Sequence, residues 1–224
     1  MLRLLPSCCV LLGLLALAPV AHALCTSDNV PQPRAVLERF VNADCADCWQ
    51  DPATPKAAPG TLALDWVLPG RKGEDAPLAS VALDEALDRL YELKLPSPER
   101  TASVTLARGG PAAQLRLAQG EAFNDYIGTS MTLKQPGRER WRAWLLLVEK
   151  LPAGLEGSPV PRNLVRNVFR PEWDKVMSRP RDLVAEDRAM QIHEGSRTDR
   201  LRLVAVLADG HGAIRAITQT ECSP

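Results

Sequence analysis

Cys45-Ala46-Asp47-Cys48 sets two sulfurs three residues apart. At this spacing a small disulfide closes locally and reopens by thiol exchange. The pair follows an apolar run at residues 35–41, where a strand should give way to a helix. There the first sulfur faces the unpaired amides and the positive helix end, which favour a thiolate nucleophile. Trp49 can shield one sulfur, which suits Cys48 as the resolving partner, while Asp47 between the two disfavours the thiolate. The residues therefore point to Cys45 as attacking thiol and Cys48 as resolving thiol, acting through a mixed disulfide. A fixed local bridge is the alternative.

Other chemistry-bearing residues give less. His193 and His211 are the only histidines beyond residue 23, and neither is spaced to complete a metal site with two cysteines. Neither lies near a serine or cysteine in a recognisable nucleophile setting. Arg162, Asn163, Arg166 and Asn167 could form a polar site, although a polar strand face at a domain junction explains them as well. No metal and no organic cofactor is expected.

The compartment bears on the sulfur chemistry. Arg3, an apolar run at residues 8–20 and Ala21-His22-Ala23 have the order of an export signal cleaved after Ala23, so residues 1–23 are read as a signal peptide. A lipid on Cys25 is an alternative in outline, but Leu24 stands where lipoprotein signals carry a small residue. The product is expected to be periplasmic or secreted. No later stretch is apolar enough for an integral membrane segment.

The chain carries 27 basic and 27 acidic residues. Loss of Arg3 leaves it formally at −1, which argues against nucleic acid as a partner. Protein thiols or disulfides are the expected clients. Cys8 and Cys9 leave with the signal, so Cys25, Cys45, Cys48 and Cys222 remain, an even number suited to two disulfides. Three pairings exist; proximity favours Cys45–Cys48 and leaves Cys25 for Cys222.

The elements that must position these residues follow from periodicity. Strands are expected at residues 35–41 and 61–68. Between them, Pro52, Pro55 and Pro59 shorten any helix begun at Cys45. Leu83, Leu87, Leu90 and Tyr91 mark a helix with Ser80 as N-cap and those four side chains in the core. Short alternating runs follow at 103–107, 114–118 and 126–133, with Gly109-Gly110 as a hairpin turn between the first two. Further strands are expected at 141–149 and 163–170, and a terminal hairpin at 201–207 and 213–218. Trp66, Trp141 and Trp144 read as core. The pattern predicts a mixed α/β N-terminal half and a mostly β C-terminal half, as domains 24–120 and 121–224.

Several stretches resemble an uncharacterised family of exported bacterial thioredoxin-like proteins. They are residues 36–48 with the cysteine pair, Leu64-Asp65-Trp66, residues 70–75, the strand at 144–149 with the Arg/Asn-bearing segment 162–170, and the hairpin ending at Cys222. The resemblance implies an α/β, thioredoxin-like N-terminal half and a redox site at Cys45 and Cys48. It also implies a cis-proline opposite the cysteines, where Thr101-Ala102 or Pro98 would have to serve. The function expected is an exported thiol–disulfide oxidoreductase. The alternative is a non-catalytic envelope binding or accessory protein with a structural Cys45–Cys48 bridge.

Overall fold

The structure, a computed structural model, describes residues 25–173, 175 and 181–222. Residues 1–23, expected from sequence to be a signal peptide, lie outside the described residues. Among the described residues, twelve strands and two α-helices follow in the order β1 (Cys25–Thr26), β2 (Ala35–Asn42), α1 (Ala46–Trp49), β3 (Thr61–Leu68), α2 (Glu85–Glu92), β4 (Thr101–Ala107), β5 (Gln114–Phe123), β6 (Tyr126–Gly137), β7 (Trp141–Leu151), β8 (Arg162–Phe169), β9 (Arg181–Gln191), β10 (Leu201–Asp209), β11 (Ile214–Gln219) and β12 (Glu221–Cys222). They form a five-stranded sheet, β12-β1-β5-β6-β9, and a seven-stranded sheet, β11-β10-β7-β8-β3-β2-β4.

This corrects the expected fold class. The protein is mostly β with two sheets, not α/β and not thioredoxin-like. The helices that would cover an α/β sheet are missing among the described residues. Pro52, Pro55 and Pro59 stop α1 after one turn and leave the path to β3 irregular, and α2 has eight residues. What covers one side of the large sheet is mainly the other sheet. Leu117, Ile127 and Met131 of the small sheet share a core with Leu145, Leu147, Leu203 and Leu207 of the large one.

The large sheet draws strands from both sides of residue 120. β2, β3 and β8 run parallel, although β3 and β8 meet at a single pair, Asp65 with Leu164, and the remaining neighbours are antiparallel. Its two edges approach each other. Leaving β4, the Gly109 N–H donates to the Ile214 carbonyl of β11 at 2.9 Å, so the sheet curls around a second core. Phe40, Leu64, Trp66, Trp144, Val206 and Ile217 meet there, with Ala86 and Leu90 of α2 inserted among them. Trp66 and Trp144 pack edge to face, centroids 6.0 Å apart.

The helix differs from its expected orientation. Its buried face is Ala86, Arg89 and Leu90, whereas Leu87 and Tyr91 are exposed, Tyr91 by 86%. A buried ion pair is the reason. The Arg89 guanidinium meets the Glu38 carboxylate inside the curl, and that pairing turns the leucine–tyrosine edge outward. Ser80 lies in a separate 3-10 turn at Ala79–Val81. Gly109-Gly110 makes no hairpin either, because β4 pairs with β2 and β5 with β1 and β6. The glycines carry the chain from one sheet to the other, Gly110 at φ +61°. The hairpin of β10 and β11 forms as expected. The Asp209 carboxylate accepts from the His211 and Ala213 amides across its turn. Among the described residues no helix is long and apolar enough to cross a membrane.

Candidate functional site

β2 and β3 run parallel in full register from Ala35–Thr61 to Asn42–Leu68, so both release their chains at one end of the sheet. The cysteine pair is built there. The Asn42 side chain fixes the turn, its Oδ1 accepting from the Asp44 amide at 2.9 Å and its Nδ2 donating to the Pro98 carbonyl at 3.1 Å. The Asp44 carboxylate in turn accepts from the Arg71 and Lys72 amides. Gly70 is required for this approach, since a Cβ there would lie 2.2 Å from Asp44 Oδ1.

The single turn of α1 follows, with the Cys45 amide donating to the Asn42 carbonyl and the Cys48 amide to the Cys45 carbonyl. Cys45 and Cys48 are disulfide-bonded, as are Cys25 and Cys222. Cys48 is 2% exposed, whereas Cys45 is only partly covered and Ala46 and Asp47 face solvent. Once the bond is reduced, the expected result is that iodoacetamide modifies Cys45 at least roughly tenfold faster than Cys48, because the reagent must reach the sulfur. Peptide mass mapping after a brief pulse reads the ratio. Equal rates would remove the asymmetry.

Beneath the cysteine turn lies a cluster that the sequence reading did not assemble. Trp49 is buried with Ala43, Val67, Leu151 and Leu164. The Arg162 guanidinium stacks over its ring at 4.2 Å from the centroid and donates to the Trp49 carbonyl at 2.8 Å. Arg162 also donates to Asp65 Oδ1 at 2.7 Å and to Ser158 Oγ at 2.7 Å. Arg39 takes the other carboxylate oxygen of Asp65 at 2.7 Å and reaches the Pro161 and Pro55 carbonyls. The cysteine turn is thus tied through Arg162 and Asp65 to the neighbouring strands. Arg39, Arg162, Asp51, Thr54 and Ser103 line a cavity of about 160 Å³ that reaches Cys48.

The other residues singled out from sequence go elsewhere. Arg162 belongs to the cluster, and Asn163 is beside it, its amide donating to Asp65 Oδ2. Arg166 pairs with the buried Glu149 at 2.6 Å, and Asn167 donates to the Gln191 carbonyl. These four side chains therefore serve separate partners. His193 and His211 are exposed. Among the described residues no group of three or more His, Cys, Asp or Glu could hold a metal ion. No cis peptide bond occurs among them, so neither Pro98 nor Ala102 supplies the cis-proline that the resemblance implied.

The signal for the missed residues was present. Glu38-Arg39, Asp65 and Glu149 each interrupt an apolar strand run, and a charge so placed is buried with a partner or breaks the strand. What one strand cannot show is the partner.

No protein-family model matches the chain, and no curated protein matches it. Among solved structures, a structural-genomics protein from Agrobacterium tumefaciens is similar at 10% identity, covering 85% of this chain and 94% of that one with a TM-score of 0.43. The fold corrects the resemblance to the exported thioredoxin-like family. The order strand, cysteine pair, strand, helix is present, but the two-sheet, mostly β architecture is not that of the family.

Proposed function

We propose that Cys45–Cys48 is an exchangeable disulfide that trades electrons with protein thiols in an oxidising compartment outside the cytoplasm. The observation that carries this reading is the split between a reachable Cys45 and a covered Cys48 at one end of the sheet. A client thiolate attacks Cys45 Sγ, the Cys45–Cys48 bond breaks, and Cys48 leaves as a thiolate in the cavity it shares with Arg39 and Arg162. A second client thiolate then attacks the client sulfur of the mixed disulfide and expels Cys45. The client gains a disulfide, the pair gains two electrons and, on protonation, two protons. The reverse sequence reduces a client. Neither direction calls on a metal or organic cofactor.

A second reading has its own support. Trp49 and Arg162 clamp the turn from below, as a purely structural bridge in a binding or accessory protein would require. One measurement separates the two. Wild-type protein is equilibrated in glutathione redox buffers and trapped with N-ethylmaleimide, and the Cys45–Cys48 peptide is quantified. Exchange predicts a potential between about −270 and −120 mV, while a value below about −300 mV establishes the structural bridge.

A further inference from the structure

Two buried guanidiniums share one carboxylate. Arg39 and Arg162 are 3% and 2% exposed, and both pair with Asp65, which is fully buried. No other acid forms an ion pair with either arginine among the described residues. Asp51 faces the neighbouring Cys48 cavity, but its carboxylate accepts from the Ala53 amide rather than from a guanidinium. The unit holds one positive charge more than its acid balances, and an interior charge without a partner is costly. Burial pulls the Arg162 guanidinium below its ordinary range, Asp65 opposes that, and Arg39 adds to it. Arg39 Nε is buried and has no acceptor among the described residues.

Both arginines also line a larger cleft of about 530 Å³. Lys56 and Lys150 stand at it as well, and none of the residues lining it is acidic. Leu62, Leu151 and Val160 supply apolar wall. A cleft of this size accepts a small organic molecule, with its polar groups setting orientation.

We propose that the cleft binds a small organic anion, an apolar body carrying a carboxylate or phosphate. The oxyanion supplies the missing counter-charge and an acceptor for Arg39 Nε, Lys56 and Lys150 draw it in, and the apolar part lies against Leu62, Leu151 and Val160. Guanidinium is suited to such oxyanions because its donors lie in one plane. The proposal stands apart from the redox reading, because the ligand needs no sulfur.

The test is calorimetric titration of the disulfide-intact wild-type protein with octanoate, octyl phosphate and octylammonium. At least one of the two anions is expected to bind, with octylammonium at least about tenfold weaker, since its charge meets four cations. Comparison of octanoate with octyl phosphate tells which oxyanion the cleft prefers. Lys56 and Lys150 are exposed, and among the described residues neither makes an ion pair or a side-chain hydrogen bond, so Lys56→Ala with Lys150→Ala should leave the thermal melt unchanged. The double variant is expected to lose about tenfold in anion affinity. The Arg39 Nε–H resonance of the wild type should shift on titration. Failure of both anions to bind, equal binding of octylammonium, or unchanged affinity in the double variant would each overturn the proposal.

Discussion

Asp65→Asn is expected to destabilise the protein by about 3–5 kcal/mol, the range for removing one partner of a buried charge cluster. The carboxylate accepts from Arg39, Arg162 and the Asn163 amide, with no exposure to water. The asparagine keeps the shape and one carbonyl acceptor, but it leaves two guanidiniums facing each other without a counter-charge. Their repulsion and desolvation set the size of the loss, rather than the count of hydrogen bonds. Urea denaturation with disulfides intact measures it as a lower midpoint at unchanged slope. A second arm checks the cause: combining Asp65→Leu with Arg39→Met and Arg162→Met should recover most of the loss, because apolar replacements of a whole buried cluster are often neutral or better. A change below about 1 kcal/mol in Asp65→Asn would show that water or a relaxed geometry compensates the arginines.

How much of this was legible in the sequence depends on the range of the interaction. β2, β3, β7, β10 and β11 could be read because each is a short apolar run bounded by turn residues. β9 was not read as a strand, since Arg181–Gln191 is rich in charge and buries only Val184 and Met190 of its core face. It lies at the edge of the small sheet, where charged side chains are favoured. β1 and β12 have two residues each and exist only as partners of one another and of β5. The misassigned fold class has the same origin. Periodicity placed a helix at residues 83–91 but not the ion pair that rotates it, and Glu38 lies 51 residues from Arg89.

At the site, Cys45 and Cys48 declared themselves through local spacing. Arg39 and Asp65 did not, because Arg39 reaches the Pro161 carbonyl across 122 residues and Asp65 reaches Arg162 across 97, through a sheet order that no single segment encodes. The charges inside apolar runs were the readable trace. They signal that a partner exists without naming it.

Replacing Cys25 and Cys222 together by alanine is expected to cost more stability than replacing Cys45 and Cys48 together. The ranking rests on the unfolded chain. The Cys25–Cys222 bond joins residues 197 apart, so its loss frees nearly the whole chain from residue 25 to residue 222, and the loop-entropy estimate is about 5 kcal/mol, an upper figure for real proteins. The Cys45–Cys48 bond joins residues three apart, for which the same estimate gives about 2 kcal/mol. The folded state reinforces the order. Cys25 is 1% exposed and pairs directly with Cys222, and the first strand is held to β5 by the Ser27 amide bonding to the Leu117 carbonyl and by Asp28 with Arg116. Without the bond, these interactions and the short backbone pairing of β1 with β5 and β12 retain the two-residue strands, which should fray before the core melts. Thermal and urea melts of both double variants, each retaining the other disulfide, decide the order; equal losses or the reverse would defeat it.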